Sequence, residues 1–138
     1  MAYKKRKFKG VNKYHAKKAV VDGIVFDSRK EAERYTLLKK KAEMGQISSL
    51  QRQVKFILIP AQYEESNEVF VKGPRKGQKK PGKLLERECA YIADFVYTEN
   101  GQQVVEDTKG CKAGAAYAIY KIKRKLMLYV HGIKIKEI

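Results

Sequence analysis

Two aspartates, Asp94 and Asp107, stand out because each lies in an apolar, β-prone segment, where aspartate is disfavoured. Asn100-Gly101 separates the two segments and is a favoured two-residue turn of a β-hairpin. With these residues as the turn, the register places Asp94 directly opposite Asp107. Two carboxylates on neighbouring Cβ atoms, about 5 Å apart, repel each other. A divalent cation would remove the repulsion, and Mg²⁺ is commonly held by one or two carboxylates.

Lys109 lies two residues beyond Asp107, so the period of a strand places both side chains on one face, while Glu106 points to the other face. Two carboxylates and a lysine on one face suit hydrolysis of a phosphodiester bond. The carboxylates hold a cation that polarises the phosphate and acidifies a water molecule. The lysine orients that water or stabilises charge developing on phosphorus. The alternative interpretation is an exposed Asp94 and a surface ion pair between Asp107 and Lys109.

Glu31 is a further candidate ligand. Ser28-Arg29-Lys30-Glu31 matches a capping box and opens a predicted helix that ends before Gly45. Glu31 also shares a helix face with Tyr35 and Leu38, so its carboxylate could point towards the sheet. The sequence leaves both roles open, helix cap and metal ligand, and the two do not exclude each other.

The elements before the central hairpin follow from turn and periodicity signals. Asp22-Gly23 predicts a short hairpin over residues 20–26, just before the helix. A strand is predicted over residues 53–59, ended by Pro60, and a further strand over residues 64–71.

The elements after the hairpin are a helix and a short strand. Residues 113–130 are helical, and the predicted apolar face contains Ala118, Ile122, Leu126 and Tyr129. Residues 133–138 alternate as a strand. A strand-helix-strand order makes this strand parallel to the one that contains Val104. We therefore predict an α/β fold with a mixed central β-sheet flanked by helices.

The chain is strongly basic: its 138 residues include 31 Lys or Arg and 15 Asp or Glu, for a net charge of +16. Residues 1–18 form a predicted basic N-terminal arm, and residues 19–138 a single domain with a basic mobile loop near 72–83. This charge exceeds what solubility needs and indicates a polyanionic partner. The candidate contacts to nucleic acid are Lys4, Lys5, Arg6, Lys7, Lys72, Arg75, Lys76, Lys79, Lys80, Lys121, Arg124 and Lys125.

Several classes of protein are excluded. No apolar run approaches the roughly 18 residues of a transmembrane helix, and the basic start does not lead into an apolar signal sequence. Two cysteines match neither a disulfide-rich scaffold nor a zinc site and are typical of the reducing cytoplasm. No basic amphipathic anchor stands out, which favours DNA over a membrane as the partner.

Three segments together carry a resemblance to a known family. They are Phe26-Asp27-Ser28-Arg29-Lys30-Glu31-Ala32-Glu33, Tyr91-Ile92-Ala93-Asp94-Phe95-Val96-Tyr97 and Val105-Glu106-Asp107-Thr108-Lys109-Gly110. Their order resembles the PD-(D/E)XK nuclease superfamily, and most closely a phage-encoded family of uncharacterised, Holliday-junction-resolvase-like endonucleases. The similarity extends from about Lys13 to Ile138. Ala93 stands where the superfamily name would place a proline, a departure that many relatives share.

The resemblance implies a restriction-endonuclease-like core and a Mg²⁺- or Mn²⁺-dependent endodeoxyribonuclease. Asp94, Asp107 and Glu31 would be the metal ligands, and Lys109 the catalytic lysine. Gln53 looks like the glutamine that many relatives place near the site; the alternative is a polar residue at a strand end.

We therefore expect a metal-dependent endonuclease acting on DNA in the cytoplasm of a phage host. Branched or nicked DNA in recombination or replication is the candidate substrate. A homodimer is a candidate assembly, because DNA junctions are two-fold symmetric. The alternatives are a non-catalytic basic DNA-binding or architectural protein, and a basic scaffold or virion protein that contacts only other proteins.

Overall fold

The computed structural model describes residues 17–110 and 112–138. All but the last two residues of the predicted basic arm, and Cys111, lie outside the described residues. The elements, in chain order, are β1 (Ala19–Val21), β2 (Ile24–Phe26), α1 (Arg29–Glu43), β3 (Ser48–Ile59), β4 (Gln62–Tyr63), β5 (Leu84–Glu86), β6 (Cys89–Glu99), β7 (Gln102–Asp107), α2 (Gly114–His131) and β8 (Lys136–Glu137).

The central sheet has four strands in the order β3-β6-β7-β8. β6 is antiparallel to both β3 and β7, whereas β8 is parallel to β7. The predicted mixed sheet and the parallel last strand are therefore confirmed. Within the described residues, neither helix combines the length and the hydropathy needed to cross a membrane.

The two helices cover opposite faces of this sheet. Phe95 and Tyr97 of β6 pack in one cluster with Ala32 and Leu38 of α1. Val96, which points the other way, packs in a second cluster with Met127 of α2. Alternate residues of one strand thus divide the core into two layers.

The central hairpin has the predicted register. Val96 pairs with Val105, and Phe95 with Glu106. Asn100 and Gly101 have φ angles of 51° and 75°, as a type I′ turn requires. Continuing this register by one position sets Asp94 opposite Asp107.

The elements that lead into the sheet are also confirmed. Asp22 and Gly23, with φ angles of 52° and 76°, form the turn between β1 and β2. The Ser28 side chain caps α1 by accepting a hydrogen bond from the backbone N–H of Glu31 at 3.1 Å.

The strand predicted over residues 64–71 is wrong. These residues form only an isolated bridge, between Val69 and Lys79, outside the central sheet. The start of the segment is polar and exposed, so no apolar face holds it to a sheet. Instead, Phe70 exchanges backbone hydrogen bonds with Gln78 and Gly77, and we call the resulting hairpin, residues 68–80, the basic finger.

The apolar face predicted for α2 is also wrong for three of its four residues, since only Leu126 packs partly against the core. Ile122 and Tyr129 are 59% and 88% exposed, whereas Tyr120 and Met127 are buried against the sheet. Apolar residues occur on two sides of this helix, so periodicity alone cannot identify the side that packs. The sheet covers the side with the larger aromatic surface, which also includes Tyr117.

Glu106 anchors α1 to the hairpin from the face opposite Asp107. Its carboxylate is fully buried and accepts hydrogen bonds from Arg34 at 2.5 and 2.8 Å and from the Tyr97 hydroxyl at 2.5 Å. Burial alone would raise the pKa of Glu106, but the hydrogen bonds from Arg34 and Tyr97 and the attraction of Arg34 and Lys136 bring it below its ordinary value. The prediction that Glu106 and Asp107 point to opposite faces of the sheet is confirmed.

We expect Arg34→Met to lower the free energy of unfolding by about 3–5 kcal/mol, because it leaves a buried carboxylate without its cation. Urea denaturation at neutral pH measures the loss. The matched control is Lys39→Met, whose ion pair with Asp22 is half exposed on both sides and should matter little. Equal, small losses in both variants would contradict the anchoring role.

Candidate active site

The candidate site lies where the hairpin ends beside the start of α1. Asp94 is half-buried, and its carboxylate oxygen Oδ2 accepts a hydrogen bond from the backbone N–H of Thr108 at 2.7 Å. Asp107 is buried on the neighbouring strand. The structure therefore brings the two aspartates together at one end of the sheet.

Burial and nearby carboxylates disfavour ionisation of Asp94. Burial raises the pKa of Asp94 from an ordinary 3.8 to about 7, with the charges of Asp107 and Glu31 adding to the effect. The hydrogen bond from Thr108 opposes the rise but does not cancel it. The pKa of Asp94 therefore lies near neutral pH.

Asp107 has two further partners on the same oxygen, Oδ2. The Lys109 ammonium lies 2.8 Å away, and the Tyr91 hydroxyl donates a hydrogen bond at 3.0 Å. The pair is largely enclosed and is not a solvent-exposed surface ion pair. Lys109 is held from the other side by the ring of Tyr120, whose centroid is 3.6 Å from Nζ.

Backbone contacts fix the segment between Asp107 and Lys109 beyond the end of β7. The N–H of Lys109 donates to the carbonyl of Ile138 at 3.2 Å, and the N–H of Ile138 donates to the carbonyl of Asp107 at 2.9 Å. Lys30 of α1 donates to the carbonyls of both Lys109 and Ile138, at 2.9 and 2.6 Å. The helix that carries Glu31 is thereby tied to the strand that carries Asp107.

Gln53 connects Glu31 to Asp94. Its amide Nε2 lies 3.3 Å from Oε1 of Glu31 and 3.5 Å from Oδ1 of Asp94. Gln53 lies across from Asp94 on β3 and has a φ of 51°, a conformation that costs an ordinary side chain free energy. Strain of this kind is common at functional sites.

Glu31 is connected to the aspartate pair through Gln53. Its side chain is buried, and burial together with the charge of Asp27 raises its pKa, although Arg52 and Gln53 act against the rise. Among the residues that the structure describes, no three His, Cys, Asp or Glu side chains converge as a metal cluster. The site is therefore a carboxylate pair with Glu31 attached through Gln53.

Tyr91 and Arg52 belong to this site, although the sequence pattern did not identify them. Strict alternation of side chains along β6 would place Tyr91 and Asp94 on opposite faces of the sheet. Instead, Tyr91 and Ala93 pack in the same cluster as Val96. The alternation breaks at the position where Gln53 has its positive φ, and no sequence signal marks that break. Arg52 holds its guanidinium 4.5 Å above the ring of Phe26, and its Nε makes no hydrogen bond within the described residues.

The predicted contacts to nucleic acid fall into three groups. Lys4, Lys5, Arg6 and Lys7 lie outside the described residues. The basic finger exposes Lys72, Arg75, Lys76 and Lys79, while Lys80 is half-buried. On α2, Lys121 and Lys125 are exposed, but Arg124 forms an ion pair with Glu137 at 2.5 Å.

We expect Asp94→Asn to stabilise the metal-free protein above neutral pH and to have little effect near pH 4. A carboxyl group with a raised pKa binds its proton more tightly in the folded state, so stability falls as the pH rises from the ordinary 3.8 through about 7. Asn removes the charge but can still accept the Thr108 hydrogen bond. Denaturation should show a gain of about 1–2 kcal/mol at high pH, after allowance for solvent screening. A destabilised variant at high pH would contradict the raised pKa of Asp94.

Comparison with known families gives a single result. A family model described as "Protein of unknown function (DUF1064)" matches residues 11–136. No curated protein and no solved structure matches the chain. The match covers most of the sequence, and the chain therefore belongs to the DUF1064 family.

Proposed function

We propose that this protein is a Mg²⁺- or Mn²⁺-dependent endodeoxyribonuclease with a restriction-endonuclease-like core. The observation that carries the proposal is the enclosed carboxylate pair, Asp94 and Asp107, with the ammonium of Lys109 at 2.8 Å from Asp107. A structural role explains this arrangement poorly, because a buried carboxyl group with a raised pKa lowers stability once the pH exceeds that pKa. Branched or nicked DNA is the proposed substrate, and the cytoplasm the proposed location.

The chemistry of the donor set fits a hard divalent cation. Carboxylate oxygens are the ligands that Mg²⁺ and Mn²⁺ prefer, and Mg²⁺ commonly uses one or two of them together with water and phosphate oxygens. A site that raises the pKa of Asp94 to about 7 gains from a cation that replaces the proton. Asp94 and Asp107 would hold the ion, and Glu31 would complete the acidic set from α1.

When bound, a divalent cation supplies positive charge beside the phosphate and lowers the pKa of water. Lys109 contributes a second positive charge, held by Asp107 and by the Tyr120 ring, where charge develops during attack on phosphorus. Tyr91 and the Thr108 N–H fix the orientations of the two aspartates, so little reorganisation is needed. Gln53 keeps Glu31 and Asp94 in a common arrangement.

The excess positive charge of the chain would hold the phosphate backbone. The exposed cations of the basic finger and of α2 offer contacts that carry no sequence information. Binding through such contacts falls steeply with salt concentration. A homodimer would suit a two-fold symmetric junction.

A second candidate function is non-catalytic DNA binding. It is favoured by the observation that no three metal-ligating side chains converge in the described part of the chain. Such a protein would use the same net charge of +16 and would bind DNA without cutting it.

We expect the purified protein to cut DNA only when Mg²⁺ or Mn²⁺ is present, and Asp107→Asn to lower the cleavage rate by about 100-fold or more. Gel assays on linear, branched and single-stranded DNA measure this rate. Asp22→Asn is the matched control, because it removes a carboxylate from an exposed turn. Salt-dependent binding with no cleavage of any substrate would support the non-catalytic alternative, and equal rates for Asp107→Asn and wild type would exclude the proposed site.

We expect Mg²⁺ to raise the melting temperature of the wild-type protein, and to do so more strongly above than below the Asp94 pKa of about 7. The reason is that, below this pKa, the cation must displace the proton on Asp94. Thermal melts with and without Mg²⁺, about one pH unit to either side of that pKa, measure the difference. Asp94→Asn should lose most of the shift, and a shift that is independent of both pH and Asp94 would place the ion elsewhere.

A further inference from the structure

A groove of about 380 Å³ opens directly beside the two aspartates. Asp94, Asp107 and Lys109 line part of it. The rest is mostly apolar and is built from β6 and α2, where Ile92 and Ile119 are exposed beside the buried Tyr91 and Tyr120. The volume falls within the range of pockets that bind small molecules, about 300–1,000 Å³.

The two isoleucines are not explained by core packing. Ile92 is 54% exposed and Ile119 is 56% exposed, whereas their sequence neighbours Tyr91 and Tyr120 are buried in the core. Both side chains line a groove that also contains charged groups. Exposure of their apolar surface to water is unfavourable. We call this surface the isoleucine shelf, defined by Ile92 and Ile119.

We propose that the isoleucine shelf binds a nucleobase that has left the base stack, next to the phosphate at the carboxylate pair. The inference rests on the proposed function and narrows its substrate to DNA that contains unpaired nucleotides. In a paired duplex the outer surface is sugar and phosphate, and the apolar faces of the bases are covered by stacking. A base can cover an apolar shelf beside a phosphate only when it is unpaired or flipped out.

The charges around the shelf favour a nucleotide over an apolar protein segment. Lys109 and Lys123 line the same groove, so cationic groups accompany the apolar surface. A phosphodiester strand offers alternating anionic and apolar parts, which match cations set beside isoleucines. A purely apolar partner would offer no counter-charge to Lys123, whereas Lys109 is already paired with Asp107.

The binding test uses Asp107→Asn protein, so that cleavage does not interfere. The probes are two DNAs of one sequence that carry 2-aminopurine, a fluorescent adenine analogue, either unpaired in a gap or fully paired. We expect at least about tenfold tighter binding of the gapped DNA, a difference of about 1.4 kcal/mol, with a fluorescence change at the unpaired base. Equal affinities for the two DNAs would overturn the inference.

Substitutions test whether the isoleucine shelf causes the preference for gapped DNA. Ile119→Ser should reduce the preference for gapped DNA by about tenfold, and Ile92→Ser repeats the test from β6. The control is Ile122→Ser on the same helix, which is equally exposed but does not line the groove. Thermal melts verify that all three variants fold. Equal effects of Ile119→Ser and Ile122→Ser would overturn the inference.

Cleavage by proteins with an intact carboxylate pair separates this inference from the proposed function. Wild type that cuts gapped DNA faster than paired DNA, with the advantage lost in Ile119→Ser, supports both. Cutting of paired and gapped DNA at equal rates, unchanged in Ile119→Ser, would overturn the shelf and leave the nuclease proposal standing. No cleavage together with a shelf-dependent preference in binding would overturn the nuclease proposal alone.

Discussion

The opposition of Asp94 and Asp107 across the β6-β7 hairpin is the constraint on which the rest of the site depends. The Asn100-Gly101 turn sets the register, and the register sets two carboxylates side by side in a half-buried position. Burial and the neighbouring charge raise the pKa of Asp94 to about 7, so the arrangement opposes folding at neutral pH. The proposed divalent cation would offset this cost.

The fold offsets this repulsion with strong interactions on the other face of the same strand. Glu106, the residue before Asp107, is fully buried and bound by Arg34 and Tyr97. Lys30, on the same helix as Arg34, bonds the backbone after Asp107. Consecutive residues of one strand therefore have different roles: Glu106 holds helix α1 to the sheet, and Asp107 stands beside Asp94 in the candidate site.

The sequence predicted the features that depend on local signals and missed those that depend on tertiary packing. Asn-Gly and Asp-Gly turns and the Ser28 cap follow from short-range chemistry, and the parallel last strand follows from the strand-helix-strand order. The contact of Tyr91 with Asp107 depends on a break in the alternation of side chains along β6, opposite Gln53. No residue type in the sequence predicts this break. For α2, periodicity found an apolar side but could not tell which of two sides packs on the sheet. The strand predicted over residues 64–71 failed because it has no apolar face to bury.

The central claim, that Asp94 and Asp107 hold a divalent cation, is tested most directly by anomalous diffraction from crystals grown with Mn²⁺. We predict one strong anomalous peak within coordination distance of both carboxylates in the wild-type protein, and its loss in Asp107→Asn crystals. Wild-type crystals without a peak at this pair, or a peak that persists unchanged in Asp107→Asn, would contradict the account.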